Sequence, residues 1–258
     1  KSQACMGIAA ADLIGNGKPD LFVTNFYNES NALYQNRGEL SFYDAAAESG
    51  IQAPSIRMLG FGTQAFDADL DGDMDIVVVN GDIDDFEAIG RPFRMRPQLF
   101  VNDGTGRFQE TTSRNGNDFF FSKSARCGRS LAKLDWNGDG KMDFVVSNLG
   151  EPAALITNRS ESEANGVTVK LVATGSHRDA IGTVVSLQLS DRERFYQLSA
   201  GDGYQASNQR ILVLTTHQAE HDVELRVAWP DGSTSEMTIP ETDRRCVVVQ
   251  GLKPAPLP

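Results

Sequence analysis

The sequence predicts an all-β protein in two parts: small repeated sheets over 1–158, then a sandwich- or barrel-like β domain over 167–250. Three observations carry this. An Asp-rich loop of nine residues recurs three times, each time followed by a short apolar strand. At 159–166 the chain turns polar, as RSESEANG, a composition suited to a linker. Beyond it run seven alternating β-type segments with no further Asp-rich loop.

The repeats align position by position on their first aspartates, Asp12, Asp67 and Asp135. Position 5 is Asn16, Asp71 and Asp139. Position 6 is glycine throughout (Gly17, Gly72, Gly140), and position 9 is Asp20, Asp75 and Asp143. An apolar strand then leads to Asn25, Asn80 and Asn148. A second apolar pair follows, with Asn36, Asn102 and Asn158 just beyond it. Agreement at this many positions marks an internal repeat. The starts lie 55 and then 68 residues apart, and the surplus falls in the second repeat, at 81–98.

Within each repeat the β-rich runs are 21–24 and 32–35, 76–79 and 99–101, 144–147 and 155–157. Small sheets repeated this way are the pattern of a β-propeller, with four strands per blade and about four to eight blades per ring. Three visible blades do not close such a ring, so the expectation is a partial propeller belonging to a longer propeller chain. Lys1-Ser2-Gln3 enters the first repeat directly, as a cut end would. In the second part the expected strands are 167–173, 183–189, 195–199, 211–215, 223–229, 236–239 and 247–249, with Gly and Asp-Gly turns at 201–203 and 231–232. The tail, 251–258, is expected to be flexible.

The loops suit a hard cation. Calcium takes about six to eight oxygens. Side-chain oxygens at positions 1, 3, 5 and 9 and a carbonyl at position 7 can converge on one centre, and glycine at position 6 permits the sharp turn. The second loop offers Asp67, Asp69, Asp71 and Asp75 with the carbonyl of Asp73. The third offers Asp135, Asn137, Asp139 and Asp143 with that of Lys141. The first offers Asp12, Asn16 and Asp20 with that of Lys18; Ile14 stands at position 3, so this site is expected to be weaker. An EF-hand would need a bidentate Glu at position 12 on a helix, where this chain has Val23, Val78 and Val146 in β-type runs. Turn-forming Asp/Asn/Gly clusters without a metal are the plainer reading. Four carboxylates in nine residues, though, repel one another unless a cation sits among them.

Net charge is −11, and ten of the acids fall within the three loop windows. That placement favours cation sites over a generally acidic surface, and it excludes the basic stripe a nucleic-acid binder needs. No run reaches the length of a membrane span.

These loops, with glycine in the preceding strand (Gly7; Phe61-Gly62), resemble FG-GAP or VCBS repeats of the integrin-α-like propeller. The third repeat departs upstream, where Gly128 lies seven residues before Asp135. The second part resembles the ASPIC/UnbV domain in Ala180-Ile181-Gly182, in Gly201-Asp202-Gly203-Tyr204 with Ser207, and in Val227-Ala228-Trp229-Pro230-Asp231-Gly232. Its LTTHQAEHD stretch departs from that family's usual turn. The combined order is similar to the cartilage acidic protein family. That resemblance implies a Ca2+-binding, adhesion-type module, secreted and extracellular or on a periplasmic or cell surface, whose partner is an unknown protein or an anionic glycan.

Other features are weaker. The 81–98 loop carries Arg91, Arg94 and Arg96, a local positive island expected to take a carboxylate, sulfate or phosphate. The HxxEH at 217–221 spells an inverted zincin signature, but about six residues between two strands leave no room for the helix that chemistry requires. Cys5, Cys127 and Cys246 lack zinc-site spacing. Cys5 and Cys127 sit at similar points of two repeats, which allows a disulfide, the alternative being three buried thiols. Asn28 and Asn158 begin glycosylation triplets. The competing function is an enzyme, or an enzyme accessory protein, using the axial face of the propeller or the 81–98 loop. No nucleophile–base pair is legible for it.

Overall fold

The computed structural model describes residues 3–111, 120–121, 125–162, 164–189, 192–216 and 222–257. These form five small sheets with only single-turn helices among them, so the chain is all-β. The first sheet is a meander of β1 (Cys5–Ala11), β2 (Asp20–Asn25), β3 (Ala32–Gly38) and β4 (Ser41–Asp44). The second repeats it with β5 (Gly60–Phe66), β6 (Asp75–Asn80), β7 (Gln98–Asn102) and β8 (Phe108–Thr111). The third has β9 (Gly128–Leu134), β10 (Asp143–Asn148) and β11 (Glu151–Ile156) among the described residues. Strand order follows chain order in all three, and every pairing is antiparallel, as in propeller blades.

The first strands β1, β5 and β9 lie side by side, one per sheet. Between the sheets, alternate strand residues interdigitate. Phe22, Leu33, Ile76, Val78 and Phe100 fill the seam between the first and second sheets. Phe66, Val77, Val79, Leu131 and Phe144 fill the next, where Phe66 and Phe144 meet edge to face at 4.6 Å. Because β6 sends its side chains alternately to both seams, it is buried along its whole length.

The second part forms two further sheets with non-sequential order. One is β15–β12–β18–β19, from β12 (Asn165–Val172), β15 (Leu212–Thr216), β18 (Arg245–Val249) and β19 (Ala255–Pro256). The other is β14–β13–β16–β17, from β13 (Val184–Gln188), β14 (Glu193–Gln197), β16 (Val223–Ala228) and β17 (Thr234–Ile239). Their inner faces share one core, with Val167, Val169, Val185, Leu187, Leu225 and Val248 fully or nearly buried. Two sheets over one core make a sandwich, not further blades. All seven strands expected here are present. Within the expected flexible tail, β19 pairs with the β18 edge, and Leu257 donates its N–H to the Arg245 carbonyl.

The disulfide reading is corrected: all three cysteines are free thiols. Cys127 and Cys246 are buried while Cys5 is exposed, and burial pushes the Cys246 thiol up to about 11.

Candidate functional site

The three Asp loops join first to second strand in each repeated sheet and adopt one hydrogen-bonding scheme. The position-1 carboxylate accepts from the N–H groups of positions 5 and 6. Asp12 takes Asn16 (2.9 Å) and Gly17 (2.7 Å); Asp67 takes Asp71 (3.1 Å) and Gly72 (2.7 Å); Asp135 takes Asp139 (3.1 Å) and Gly140 (3.2 Å). The position-5 oxygen accepts from the position-7 N–H: Asn16 from Lys18, Asp71 from Asp73, Asp139 from Lys141. These are Asx turns stacked in series, which curl the loop around its own side-chain oxygens. Gly17, Gly72 and Gly140 all have φ near +80°, at +77°, +88° and +79°, a conformation that favours glycine.

Position 9 does different work. Asp20, Asp75 and Asp143 are buried, and both oxygens of each accept backbone N–H groups. Asp75 takes Ala68 (3.0 Å) and Asn102 (2.8 Å); Asp20 takes Leu13 and Asn36; Asp143 takes Trp136 and Asn158. Each staples the loop's beginning to the third strand of its sheet. The partner asparagines then reach across: Asn102 donates to the Leu13 carbonyl of the preceding loop, and Asn158 to that of Ala68. Sequence alignment marked these asparagines without giving them a role; recurrence beside the strand end was the only signal.

In the second loop, ligand oxygens of Asp67, Asp69 and Asp71 come within 4.8 Å of one another, and among the described residues this is the one such cluster of acidic or metal-ligating groups. Burial pushes the Asp67 carboxyl up to about 7, and the Asp71 and Asp69 charges raise it further against hydrogen bonds from Thr215 and Gly72. Burial likewise takes Asp75 up to about 8, against its two backbone donors and with the neighbouring aspartates adding to the rise. Burial raises Asp20 and Asp143 too. The donor set fits a hard divalent cation: three convergent carboxylates in partly buried surroundings, crowded enough that a proton or an ion must screen them. In the first loop Ile14 takes position 3 and packs toward Gly106 of the neighbouring sheet. In the third, Asn137 donates to Asp139.

The sandwich sits directly on these loops. Phe195 lies against Gly17. Arg194 donates to the Asp71 carbonyl (2.8 Å) and, with Arg192, faces the Asp73 carboxylate at 3.7 and 3.5 Å. Thr215 Oγ1 donates to Asp67 Oδ2 at 2.5 Å. Arg245 donates to the Gly138 carbonyl, and the Asp135 N–H to Gln209. Between loops and sandwich lies a cavity of about 140 Å³, bordered by Asp12, Asp67, Lys133 and Tyr196.

The segment 200–209 runs along the inner strands. Gly203 and Ile8 exchange backbone hydrogen bonds. Buried Gln64 donates to the Leu131 and Asp202 carbonyls and accepts from Asn208, whose Oδ1 takes the Lys133 N–H. Tyr204 meets Phe61 edge to face at 5.1 Å.

The arginines of the 81–98 loop have partners within the fold. Arg91 pairs with buried Asp82 and stacks on Phe26, Tyr27 and Phe86. Arg94 pairs with Glu151 (2.8 Å) and Arg96 with Glu110 (2.5 Å). Each guanidinium has a carboxylate within the fold. The HxxEH at 217–221 lies outside the described residues.

Residues 173–255 match the family described as ASPIC and UnbV, and residues 3–78 match FG-GAP-like repeat. The two matches fall on separate parts of the chain, FG-GAP-like repeat on the first sheet and into the second, ASPIC and UnbV on the sandwich. Among individual proteins, the chain is similar to cartilage acidic protein 1: 27% identical to the human protein over 143 residues, which is 55% of this chain and 19% of that one. The mouse protein is 28% identical over 164 residues, 59% of this chain and 22% of that one. The chain thus spans about one fifth of the length of these relatives. No helix of the described residues is long and apolar enough to cross a membrane.

Proposed function

We propose that this chain is a calcium-binding module of a secreted or surface-exposed protein, acting in binding or adhesion, with the ion held foremost by the second loop. The observation that carries this is the convergence of Asp67, Asp69 and Asp71 inside a loop whose bonding scheme recurs in the other two. The ion would be held by these carboxylates and the Asp73 carbonyl. Asp75 would close the site from the end of the loop, its oxygens also accepting the Ala68 and Asn102 N–H groups that fix the loop to the sheet. The ion would supply charge neutralisation and rigidity to a loop on which the sandwich rests. Similarity to cartilage acidic protein 1 supports an extracellular setting. The protein or glycan partner is not assigned to the 81–98 loop, whose arginines are internally paired. Catalysis on the axial face is disfavoured by segment 200–209, which lies along β1, β5 and β9.

The test is thermal unfolding of the whole chain in millimolar calcium and in EGTA. A ligand that binds only the folded form at a hundredfold excess over Kd adds about 2.7 kcal/mol. Calcium should raise the melting temperature. Asp71→Ala should abolish more of that rise than Asn16→Ala, because the second loop has the fuller carboxylate set. Identical melting with and without calcium would remove the ion from the account.

A further inference from the structure

We propose that Thr215, from the sandwich, is a positioning residue for the cation site of the second loop, so that this site is completed across the two parts of the chain. The inference rests on the calcium reading above and goes beyond it by assigning part of the site to a domain without an Asp-rich loop.

Three observations point the same way. First, the hydrogen bonds accepted by the Asp12 and Asp135 carboxylates come from their own loops, whereas the Asp67 carboxylate also receives one from a side chain 148 residues away. Second, Thr215 is fully buried and held in place. Its N–H donates to the Tyr196 hydroxyl (3.2 Å), and its strand pairs with β12 opposite Gly166. A threonine hydroxyl has a single proton. Here it goes to Asp67 Oδ2, which also accepts from Gly72, while Oδ1 accepts the Asp71 N–H. Outer donors of this kind orient ligating carboxylates and favour their charged form. Third, the second loop alone has an acid at position 7, where the others have Lys18 and Lys141. Asp73 meets Arg192 and Arg194, and the Arg194 guanidinium lies over Gly72 where any Cβ would collide with it. The sandwich therefore selects the second loop through Asp73 and delivers Thr215 to Asp67. The arginines engage Asp73 and the Asp71 carbonyl, at the outer side of the same loop.

The experiment titrates the whole chain with calcium against a competing chelator and measures melting in EGTA in parallel. Thr215→Val keeps the shape and removes the donor; Thr215→Ser keeps the donor. The tightest calcium constant should weaken about tenfold or more in Thr215→Val, the scale of lost outer-shell partners, and recover to within about threefold in Thr215→Ser. In an Asp71→Ala background, Thr215→Val should have no further effect on calcium binding. If Thr215→Val does not fold, Thr215→Ala takes its place. Lower melting in EGTA with an unchanged calcium constant would reduce Thr215 to a packing residue and overturn the inference while leaving the calcium site standing. No binding by the wild-type chain would overturn both.

Discussion

At the scale of residues, the recurring nine positions divide into two jobs that the sequence does not separate. Positions 1, 3 and 5 crowd oxygens together, and position 9 anchors the crowd from beneath. All were legible as candidate ligands because an aspartate looks the same in either role. What distinguishes position 9 is a second backbone partner contributed at the end of the third strand, and that contact depends on sheet packing. The consequence is a pH dependence with a definite sign. Asp67 and Asp75 have folded values of about 7 and about 8, well above the roughly 3.9 of an unfolded aspartate. Where the folded state holds protons that the unfolded state has released, stability falls as pH rises. Their contribution is full below about pH 3.9 and is lost as pH passes through 7 to 8. The lowered carboxylates, Asp103, Glu151 and Asp231, start from ordinary values below pH 5 and add no slope above it. In EGTA the melting temperature should therefore drop between pH 5.5 and 8.5. On the calcium reading the ion would stand in for the protons, so the stabilisation it brings should grow over the same interval. A flat or rising profile in EGTA would mean that these two groups are not desolvated as the structure has them.

At the scale of elements, the glycines of the inner strands explain both the repeat and its one departure. A Cβ at Gly7 would come within 2.2 Å of the Phe61 carbonyl oxygen, and one at Gly62 within 2.7 Å of the Arg129 carbonyl oxygen. Each inner strand thus presses backbone to backbone on the next. In the third repeat the equivalent position is Ser130, because Gly128 pairs with Asn148 as Gly60 pairs with Asn80. Its neighbour is not another blade but segment 200–209, and the Ser130 hydroxyl donates to the Gln205 carbonyl. A side chain is wanted there. Gly7→Ala should accordingly cost about 1–3 kcal/mol through forced backbone shifts, while Ser130→Ala should change chemical-denaturation midpoints little. Equal effects would contradict the close-approach argument. Strand positions and the seven sandwich strands were legible because alternation and turn residues are local signals. The role of Ser130 was not, since it depends on a partner about 75 residues away in sequence. The partners of the 81–98 arginines were hidden for the same reason: Glu110 and Glu151 lie outside the loop that holds Arg96 and Arg94.

At the scale of the whole molecule, the family motif Gly201-Asp202-Gly203-Tyr204 joins the two parts. Gly203 has φ +81°, and a Cβ there would lie 2.6 Å from the Thr63 carbonyl oxygen, so the motif's glycine serves contact with the propeller-like sheets as well as its own turn. Gln64 is the hub, fully buried and bonded to Leu131, Asp202 and Asn208. Removing one partner from a buried polar network leaves the others unpaired, at about 1–3 kcal/mol for each group. Gln64→Leu strands two carbonyls and the Asn208 amide together, so the loss falls on the junction and leaves each hydrophobic core intact. With the junction intact, the two parts should melt as one cooperative unit. Gln64→Leu should split the calorimetric transition in two. On the calcium reading, the component that holds the repeats should respond the more strongly, because the candidate carboxylates lie there. A single transition for the variant, at the wild-type temperature, would show that the junction contributes nothing to stability and that the two parts rest together without depending on each other.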